Sequence, residues 1–264
     1  MEDLLIEVSG PVGTVTLDRA EKKNRLSRAI IEGLLAACRQ LADDEEVRVV
    51  VFRASGSDFS TGVDLTDPGM IEMAQAPMGR RRRLLQIGPR VVHAIQDLPQ
   101  TTIVAMQGYC LGGAGCIALA CDLRVAAADL KFGMPEVRRG MNMSWHSVPL
   151  MVAHFGPART KDLLLTGKLL DAETAASWGL ANRLSAAGPE AVHAEAATWA
   201  GELAQTLPPI QASMIKQTVN AVANACTPMV HMDSDQFILA QMTEDFHEAT
   251  RAFLEKRPGR YKGR

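Results

Sequence analysis

The chain has 264 residues, of which 47% are hydrophobic and 22% are charged, and its formal net charge is −2. These proportions are typical of a soluble globular protein, and the small net charge gives no general attraction to nucleic acid or to an acidic membrane. Five cysteines without a CxxC pair or a metal-type cysteine–histidine spacing favour reduced thiols and a cytoplasmic location. We therefore expect no nucleic-acid partner, no membrane partner and no metal.

The first hundred residues alternate between strand-like and helix-like patterns. Leu4–Val8 and Val12–Leu17 flank a Gly-Pro turn and predict a β-hairpin. Apolar residues recur at helical spacing over Ser27–Leu41, which predicts a helix. The β-branched run Val47–Phe52 predicts a buried strand, and Met70–Leu98 predicts a mixture of loop and helix.

The middle of the chain continues this alternation. Thr101–Gln107 predicts a strand, Ala114–Ala120 a helix, and Leu123–Ala126 a strand that ends before the turn FGMPE. Strand, helix and strand in this order indicate successive β-β-α units around a largely buried sheet.

Helical patterns dominate after residue 147. The predicted helices are Ser147–Phe155, Pro157–Thr166, Ala172–Trp178, Val192–Thr206, Pro209–Ala225 and about Asp233–Leu254. Leu180–Leu184 is the one further strand that we predict there. We expect an α/β core over residues 1–195, followed by a helical C-terminal region over residues 196–264.

Two glycine-containing loops each follow a predicted buried strand. They are Ser60–Asp64 and Gly108–Ala114. Glycine permits a positive φ and a close approach of a ligand to the backbone, and N–H groups at the start of a helix stabilise a developing oxyanion. A lone glycine loop is more often only a tight turn, so each loop by itself is weak evidence of a site.

Taken together, the motifs resemble those of the crotonase superfamily, the enoyl-CoA hydratase/isomerase family. The similarity begins with Leu17-Asp18-Arg19 through Asn24 and ends with Ala252-Phe253-Leu254-Glu255-Lys256-Arg257. Between them lie Phe59-Ser60-Thr61-Gly62-Val63-Asp64, Gly108-Tyr109-Cys110-Leu111-Gly112-Gly113, Cys121-Asp122 and Phe132-Gly133-Met134-Pro135-Glu136. The resemblance therefore covers nearly the whole chain.

This resemblance implies a fold, a substrate class and an assembly. The fold would be an α/β, crotonase-like spiral of β-β-α units with a helical C-terminal oligomerisation region. That region would form a homotrimer or a dimer of trimers. The substrate would be an acyl-CoA thioester, with coenzyme A present only as part of the substrate and no separate cofactor.

The resemblance also implies roles for particular residues. The backbone N–H groups of Val63 and Gly113 would form an oxyanion hole for the thioester carbonyl. The segment Lys22–Arg25 would border coenzyme A, with Asp64 beside the nucleotide end, and the tail residues Lys256 and Lys262 are similar to residues that reach its phosphates. The substrate-binding residues that we predict are Lys22, Lys23, Arg25, Asp64, Gly112, Cys116, Met141, Ser144 and Trp145.

The acid/base groups decide the expected chemistry. Hydratases of the family carry two glutamates, of which this chain has Glu136, while Cys116 stands at the other position. A thiol with an ordinary pKa of about 8.5 is a poor base for water at neutral pH, so two-glutamate hydration is doubtful. Glu136 as single acid/base suits double-bond isomerisation or single-glutamate hydration. Cys116 is more readily a small apolar residue of the acyl pocket than a nucleophile.

Several neighbouring residues admit two interpretations. Met141, Met143 and Trp145 favour an apolar acyl site, and Ser144 restores no second carboxylate. His93 and His146 are candidate pocket groups, but ordinary structural histidines are the favoured interpretation. Arg80–Arg83 either contacts phosphates or forms a solvated face, and the solvated face is favoured.

A different class of function stays open beside the enzyme. The chain would then be a non-catalytic acyl-CoA-binding or RNA-binding member of the same fold. The weak net charge argues against RNA, and retention of Glu136 argues against an inactive enzyme. Hydratase and isomerase activity, acyl chain length and pathway are not distinguished by these patterns.

Overall fold

A mixed six-stranded sheet organises the structure, a computed structural model that describes residues 3–223 and 231–263. Numbered in chain order and given in sheet order, its strands are β1 (Leu4–Ser9), β2 (Val12–Leu17), β3 (Val49–Ala54), β4 (Thr101–Met106), β6 (Leu123–Ala127) and β9 (Arg183–Ser185). The pair β1 and β2 is antiparallel, and every later pairing is parallel. The predicted hairpin and the α/β class are confirmed.

A second, smaller sheet lies beside the loops that follow β3 and β4. It has the order β5-β7-β8, with β5 (Tyr109–Leu111), β7 (Lys131–Gly133) and β8 (Leu169–Asp171). Ser60 joins this sheet through a parallel bridge to Cys110. These strands have three residues each, which is too short for a periodic pattern, and the sequence did not predict them.

Helices cover both faces of the main sheet. In chain order they are α1 (Arg28–Ala42), α2 (Pro68–Gln75), α3 (Met78–Leu84), α4 (Ile87–Gln96), α5 (Gly113–Ala120), α6 (Ser147–Thr166), α7 (Ala172–Ser177), α8 (Pro189–Thr206), α9 (Pro209–Ala223), α10 (His231–Ala240) and α11 (Glu244–Leu254). Short 3-10 turns occupy Ala20–Lys22 and Pro135–Arg139. No helix among the described residues is long and apolar enough to cross a membrane.

Alternate residues of the central strands enter two different hydrophobic cores. On one face, Val50 and Val104 pack in the cluster that contains residues of α1, α4 and α5. On the other face, Val51 and Ile103 pack against α8. Because side chains alternate across a strand, a strand that is covered on both sides needs a nearly continuous apolar sequence, and β3 and β4 have one.

Several helix predictions are confirmed with shifted ends. Helix α1 begins after Ser27, whose side chain accepts a hydrogen bond from the Ile30 N–H at 3.2 Å. The two predicted helices before residue 167 are halves of α6, which bends at Gly156, where φ is 73°. The predicted strand Leu180–Leu184 is displaced to β9.

The last predicted helix, about Asp233–Leu254, is wrong as a single element. The structure has α10 and α11, with a break over residues 241–243. Thr243 accepts a hydrogen bond from the Phe246 N–H at 3.1 Å and so begins the second helix. The end of the predicted helix Pro209–Ala225 lies outside the described residues, since α9 is described to Ala223.

The predicted boundary between residues 195 and 196 falls inside α8. Val192, Ala196, Ala200 and Ala204 are fully or almost fully buried against the main sheet. Small side chains on this stripe let the helix lie close to the strands, so α8 belongs to the core along its whole length. The division into core and helical region stays a prediction, but no structural break marks it at residue 195.

Candidate active site

Hydrogen bonds between backbones bring the two glycine loops together. The Ser60 N–H donates to the Tyr109 carbonyl at 2.9 Å, and the Leu111 N–H donates to the Ser60 carbonyl at 3.0 Å. Gly62 has a φ of 88°, and a Cβ there would lie 2.9 Å from the Leu111 carbonyl oxygen. This close approach requires glycine at position 62.

The two backbone donors predicted for an oxyanion hole belong to neighbouring residues. Gly113 begins α5, where N–H groups have no acceptor within the helix. A Cβ on Gly113 would lie 3.3 Å from Cγ2 of Val63, so the two residues are neighbours. Among hydrogen bonds between described residues, neither the Val63 N–H nor the Gly113 N–H has an acceptor. A developing negative oxygen between them would be stabilised.

Glu136 is held directly over the second glycine loop. It lies on the 3-10 turn after β7, where its carbonyl accepts a hydrogen bond from the Met141 N–H at 3.1 Å. A Cβ on Gly112 would lie 2.6 Å from Oε1 of Glu136. Oε2 is buried and has no hydrogen-bond partner among the described residues. Burial raises the pKa of Glu136 to about 7, although its backbone and Arg139 act to lower it.

These groups line one pocket of about 180 Å³. Eight of the predicted residues border it: Val63, Gly112, Gly113, Cys116, Glu136, Met141, Ser144 and Trp145. Cys116 is 2% exposed and lies one turn into α5. Within the described lining, Glu136 is the only residue with a carboxylate, so the pocket offers one strong acid/base.

The indole of Trp145 fixes the shape of the pocket wall. Trp145 and His146 both have positive φ values, 64° and 59°, immediately before α6. The indole packs against Gly88, where any Cβ would overlap the ring, and lies 3.3 Å from the position of a Cβ on Gly113. The backbone turn therefore places Trp145 between α4 and the loop Gly108–Ala114.

The two histidines considered from the sequence do not border the pocket. His93 and His146 instead contact each other edge to face, with ring centroids 4.4 Å apart. Burial, with a smaller contribution from His93, lowers the pKa of His146 to about 4. The favoured interpretation of both as structural residues agrees with this placement.

Four predicted binding residues, Lys22, Lys23, Arg25 and Asp64, lie outside the described pocket lining. Asp64 is 2% exposed, and its carboxylate accepts hydrogen bonds from Arg19 at 2.9 Å and from the Thr66 hydroxyl at 2.7 Å. Burial would raise the pKa of Asp64, but these hydrogen bonds outweigh it and hold the pKa below its usual value. Asp64 therefore anchors the Val63 loop through these hydrogen bonds.

Sequence reasoning missed several pocket residues. Among them are the polar residues Arg81, Arg139 and Gln241 and the apolar residues Met70, Met73, Leu85 and Phe237. The solvated-face interpretation of Arg80–Arg83 holds for three of the four arginines, which are exposed, but Arg81 is half-buried and borders the pocket. A helical projection of α3 singles out no arginine unless the contacts of that helix are known.

The amino-acid sequence is similar to known proteins over nearly its whole length. Residues 7–264 match the family model described as enoyl-CoA hydratase/isomerase. The chain belongs to the enoyl-CoA hydratase/isomerase family. A candidate enoyl-CoA hydratase of Thermus thermophilus is 34% identical over 259 residues, which cover 96% of this chain and 98% of that protein. The short-chain-enoyl-CoA hydratase of Clostridium acetobutylicum is 26% identical, with 97% and 96% covered.

Solved structures agree with membership of the enoyl-CoA hydratase/isomerase family. An enoyl-CoA hydratase/isomerase from Xanthobacter autotrophicus superposes with a TM-score of 0.85 at 27% identity, and 99% of each chain is covered. An enoyl-CoA hydratase from Mycobacterium avium subsp. paratuberculosis gives 0.85 at 25% identity, with 98% of each chain covered. The expected crotonase fold is therefore confirmed.

The buried carboxyl of Glu136 predicts a pH-dependent effect on stability in this family member. Its pKa is raised from 4.5 to about 7 on folding, so the folded state favours the protonated form. Destabilisation from the buried charge therefore grows as the pH rises from about 4.5 to 7, and reaches about 3 kcal/mol. We expect Glu136→Gln to stabilise the protein by that amount at pH 8 and by much less at pH 5.

Urea unfolding at one protein concentration measures this difference. Glu21→Gln is the matched control, because Glu21 is an exposed glutamate and the same substitution there changes no buried charge. An equal effect of Glu136→Gln at both pH values would contradict the assignment of a buried, mostly protonated carboxyl.

Proposed function

We propose that this chain acts on enoyl-CoA thioesters through an enolate, with Glu136 as the single acid/base. The observation that carries the proposal is the placement of Glu136, the only carboxylate of the described pocket lining, beside Gly112 and with a pKa of about 7. A general acid/base works best when its pKa is near the operating pH. The N–H groups of Val63 and Gly113 would hold the thioester oxygen as negative charge develops on it.

Double-bond isomerisation needs only this set of groups. Ionised Glu136 would remove a proton from the carbon next to the thioester carbonyl of a 3-enoyl-CoA. The electron pair would delocalise onto the carbonyl oxygen, between the N–H groups of Val63 and Gly113. Glu136 would then return the proton to the fourth carbon, which leaves the double bond between the second and third carbons. No second carboxylate takes part.

Hydration is the second candidate, and the names of the relatives favour it. Glu136 would accept a proton from water as the water oxygen bonds to the third carbon. The resulting enolate would take a proton at the second carbon from the same carboxyl. Because Cys116 stands at the second glutamate position, Glu136 has to perform both transfers.

Coenzyme A would enter this site only as part of the substrate. Backbone hydrogen bonds attach the segment Lys22–Arg25 and the next residue, Leu26, to the loop Ser60–Asp64. The Thr61 N–H donates to the Lys23 carbonyl at 3.2 Å, and the Leu26 N–H donates to the Gly62 carbonyl at 2.9 Å. Lys22 and Lys23 are exposed, so their charges are available to the phosphates of the coenzyme. This arrangement supports the predicted border of the coenzyme without adding a separate cofactor.

Product analysis with crotonyl-CoA and a 3-enoyl-CoA tests the proposal. Water addition raises the mass of crotonyl-CoA, whereas migration of the double bond changes chromatographic retention without changing the mass. We expect Glu136→Gln to lower turnover at least about 1,000-fold, within the range for loss of an acid/base group, while binding of butyryl-CoA is retained. In the wild type, kcat/KM should rise with pH to a plateau above about 7, as Glu136 ionises.

A binding-only protein would give the opposite result. It would convert neither substrate, so Glu136→Gln would have no turnover to lower and would leave binding of butyryl-CoA unchanged. That outcome would favour the non-catalytic acyl-CoA-binding alternative and overturn the enzymatic proposal.

The contact between Gly112 and Glu136 predicts a second effect on turnover. In Gly112→Ala the new methyl group would overlap Oε1 of Glu136, so the carboxyl has to move, and we expect kcat/KM to fall about 100-fold, the scale of a small misplacement of a catalytic group. Gly10→Ala is the control, because Gly10 has a similar φ, 54° against 56°, but nothing within 4 Å of an added Cβ. Equal activity of the two variants would contradict the contact.

We also propose that the chain forms a homotrimer or a dimer of trimers through its C-terminal helices. Helix α9 exposes a set of large apolar side chains with exposed fractions of 59–74%: Ile210, Met214, Ile215, Val219 and Val222. An apolar face of this size is typical of a protein–protein interface.

Light scattering coupled to gel filtration measures the assembly. We expect the wild type to have the mass of three or six chains, and Val219→Glu to shift it toward a single chain because the carboxylate would be buried at the interface. Gln205→Glu, which adds the same charge at an exposed position of α8, should leave the mass unchanged. A monomeric wild type would contradict the proposed homotrimer or dimer of trimers.

A further inference from the structure

Arg81 is a half-buried cation at the wall of the proposed substrate pocket. Its Nε is shielded from solvent and has no hydrogen-bond partner among the described residues. No carboxylate in the described part of the chain lies within 4 Å of its guanidinium. The neighbouring lining is apolar and includes Met73, Leu85 and Met141.

The flanking arginines of the same helix have partners outside the pocket. Arg80 donates to Glu72 at 3.0 Å, and Arg82 forms a two-pronged pair with Asp235 of α10, at 2.6 and 2.9 Å. These pairs orient α3 and leave Arg81 facing the pocket. Arg83 is exposed, so Arg81 is the one arginine of the cluster that is half-buried and borders the pocket.

No carboxylate and no aromatic ring of the described pocket lining pairs with the positive charge of Arg81. Glu136 is not its counter-ion, because the charge that lowers the pKa of Glu136 belongs to Arg139. Arg139 itself lies over the ring of Phe253, with 4.7 Å between the guanidinium carbon and the ring centroid. Desolvation alone acts on Arg81 and lowers its pKa, yet an arginine side chain stays charged in proteins.

A second polar group with a buried, partnerless atom borders the same pocket. The Gln241 side chain borders the pocket, and its amide oxygen is buried without a partner among the described residues. Gln241 follows α10 directly, and α10 is the helix that contacts α3. The Gln241 amide and the Arg81 guanidinium therefore both border the pocket. A buried donor without an acceptor is costly, and a ligand oxygen at Nε of Arg81 would remove that cost.

We propose that Arg81 binds a carboxylate carried by the acyl group of the substrate, so that the enzyme prefers CoA thioesters of unsaturated dicarboxylic acids. This inference rests on the proposed function. A planar guanidinium binds a carboxylate through two parallel hydrogen bonds, and the amide NH₂ of Gln241 supplies a further donor to the same group.

Matched substrates separate the acyl carboxylate from the coenzyme. Glutaconyl-CoA carries a terminal carboxylate, and 5-methylhex-2-enoyl-CoA places two methyl groups at the positions of its two oxygens. Both carry the same phosphates. We expect the wild type to favour glutaconyl-CoA, measured as kcat/KM for its conversion, which is followed by mass for water addition and by chromatographic retention for migration of the double bond.

Substitution of Arg81 then tests the residue itself. Arg81→Met keeps an unbranched side chain that reaches as far as the position of Nε and removes the guanidinium charge, and we expect it to lower kcat/KM for glutaconyl-CoA about 10- to 100-fold, the scale of one hydrogen bond to a charged group. The value for 5-methylhex-2-enoyl-CoA should stay within about two-fold, because the variant loses no contact to that acyl group. Arg81→Lys should restore part of the preference, and Arg83→Met, at an exposed neighbour on α3, should change neither value.

Three results would overturn the inference. An equal loss on both substrates would assign Arg81 to a coenzyme phosphate or to packing. A wild type that prefers the methyl-bearing substrate would exclude a carboxylate subsite. In a binding measurement with the saturated analogues, glutaryl-CoA has to bind more tightly than 5-methylhexanoyl-CoA, and a lack of preference would also overturn it.

The binding measurement keeps this inference distinct from the proposed function. If no substrate is converted but glutaryl-CoA binds more tightly through Arg81, the carboxylate subsite stands and the enzymatic proposal fails. If crotonyl-CoA is converted but glutaryl-CoA has no advantage, the enzymatic proposal stands and the subsite fails.

Discussion

The close approach of two loop backbones is the constraint on which the site depends. The Leu111 carbonyl and Gly62 are so near that no side chain fits at position 62, and the hydrogen bonds between Ser60 and the strand β5 hold that distance. The same contact makes Val63 and Gly113 neighbours, with 3.3 Å between Cγ2 of Val63 and the position of a Cβ on Gly113. Since α5 begins at Gly113, the partial positive charge of the helix start points into the same space.

The pocket is shaped by a balance between burial and charge. Glu136 is kept near the loop by the absence of a side chain at Gly112, and its burial raises its pKa to about 7. A carboxyl in that range is able to give and take protons at neutral pH, at a cost to stability. Proteins commonly retain residues that lower the stability of the fold where those residues are needed for activity. Arg81 shows the same conflict with opposite charge, because its guanidinium lies at an apolar wall without a counter-ion among the described residues.

The sequence patterns predicted the strands and helices that depend on interactions between residues close together in the chain. The apolar runs of β3 and β4 indicate strands buried on both faces, and Ser27 marks the start of α1 through its side-chain cap. The three-residue strands β5, β7 and β8 have no such pattern. They exist because partner strands from distant segments supply their hydrogen bonds, so only the assembled fold defines them.

By itself, the sequence determined the α/β class and the two glycine loops, because glycine, capping residues and apolar periodicity act within a few neighbours, while Glu136 was identified through the resemblance of its motif to the family. Tertiary structure alone decided that Asp64 anchors a loop, that His93 contacts His146, and that Arg81 leaves the solvated face of α3 for the pocket. These three outcomes depend on which distant segments pack together. Four consecutive arginines look alike in a sequence, and they differ only in what surrounds each side chain after folding.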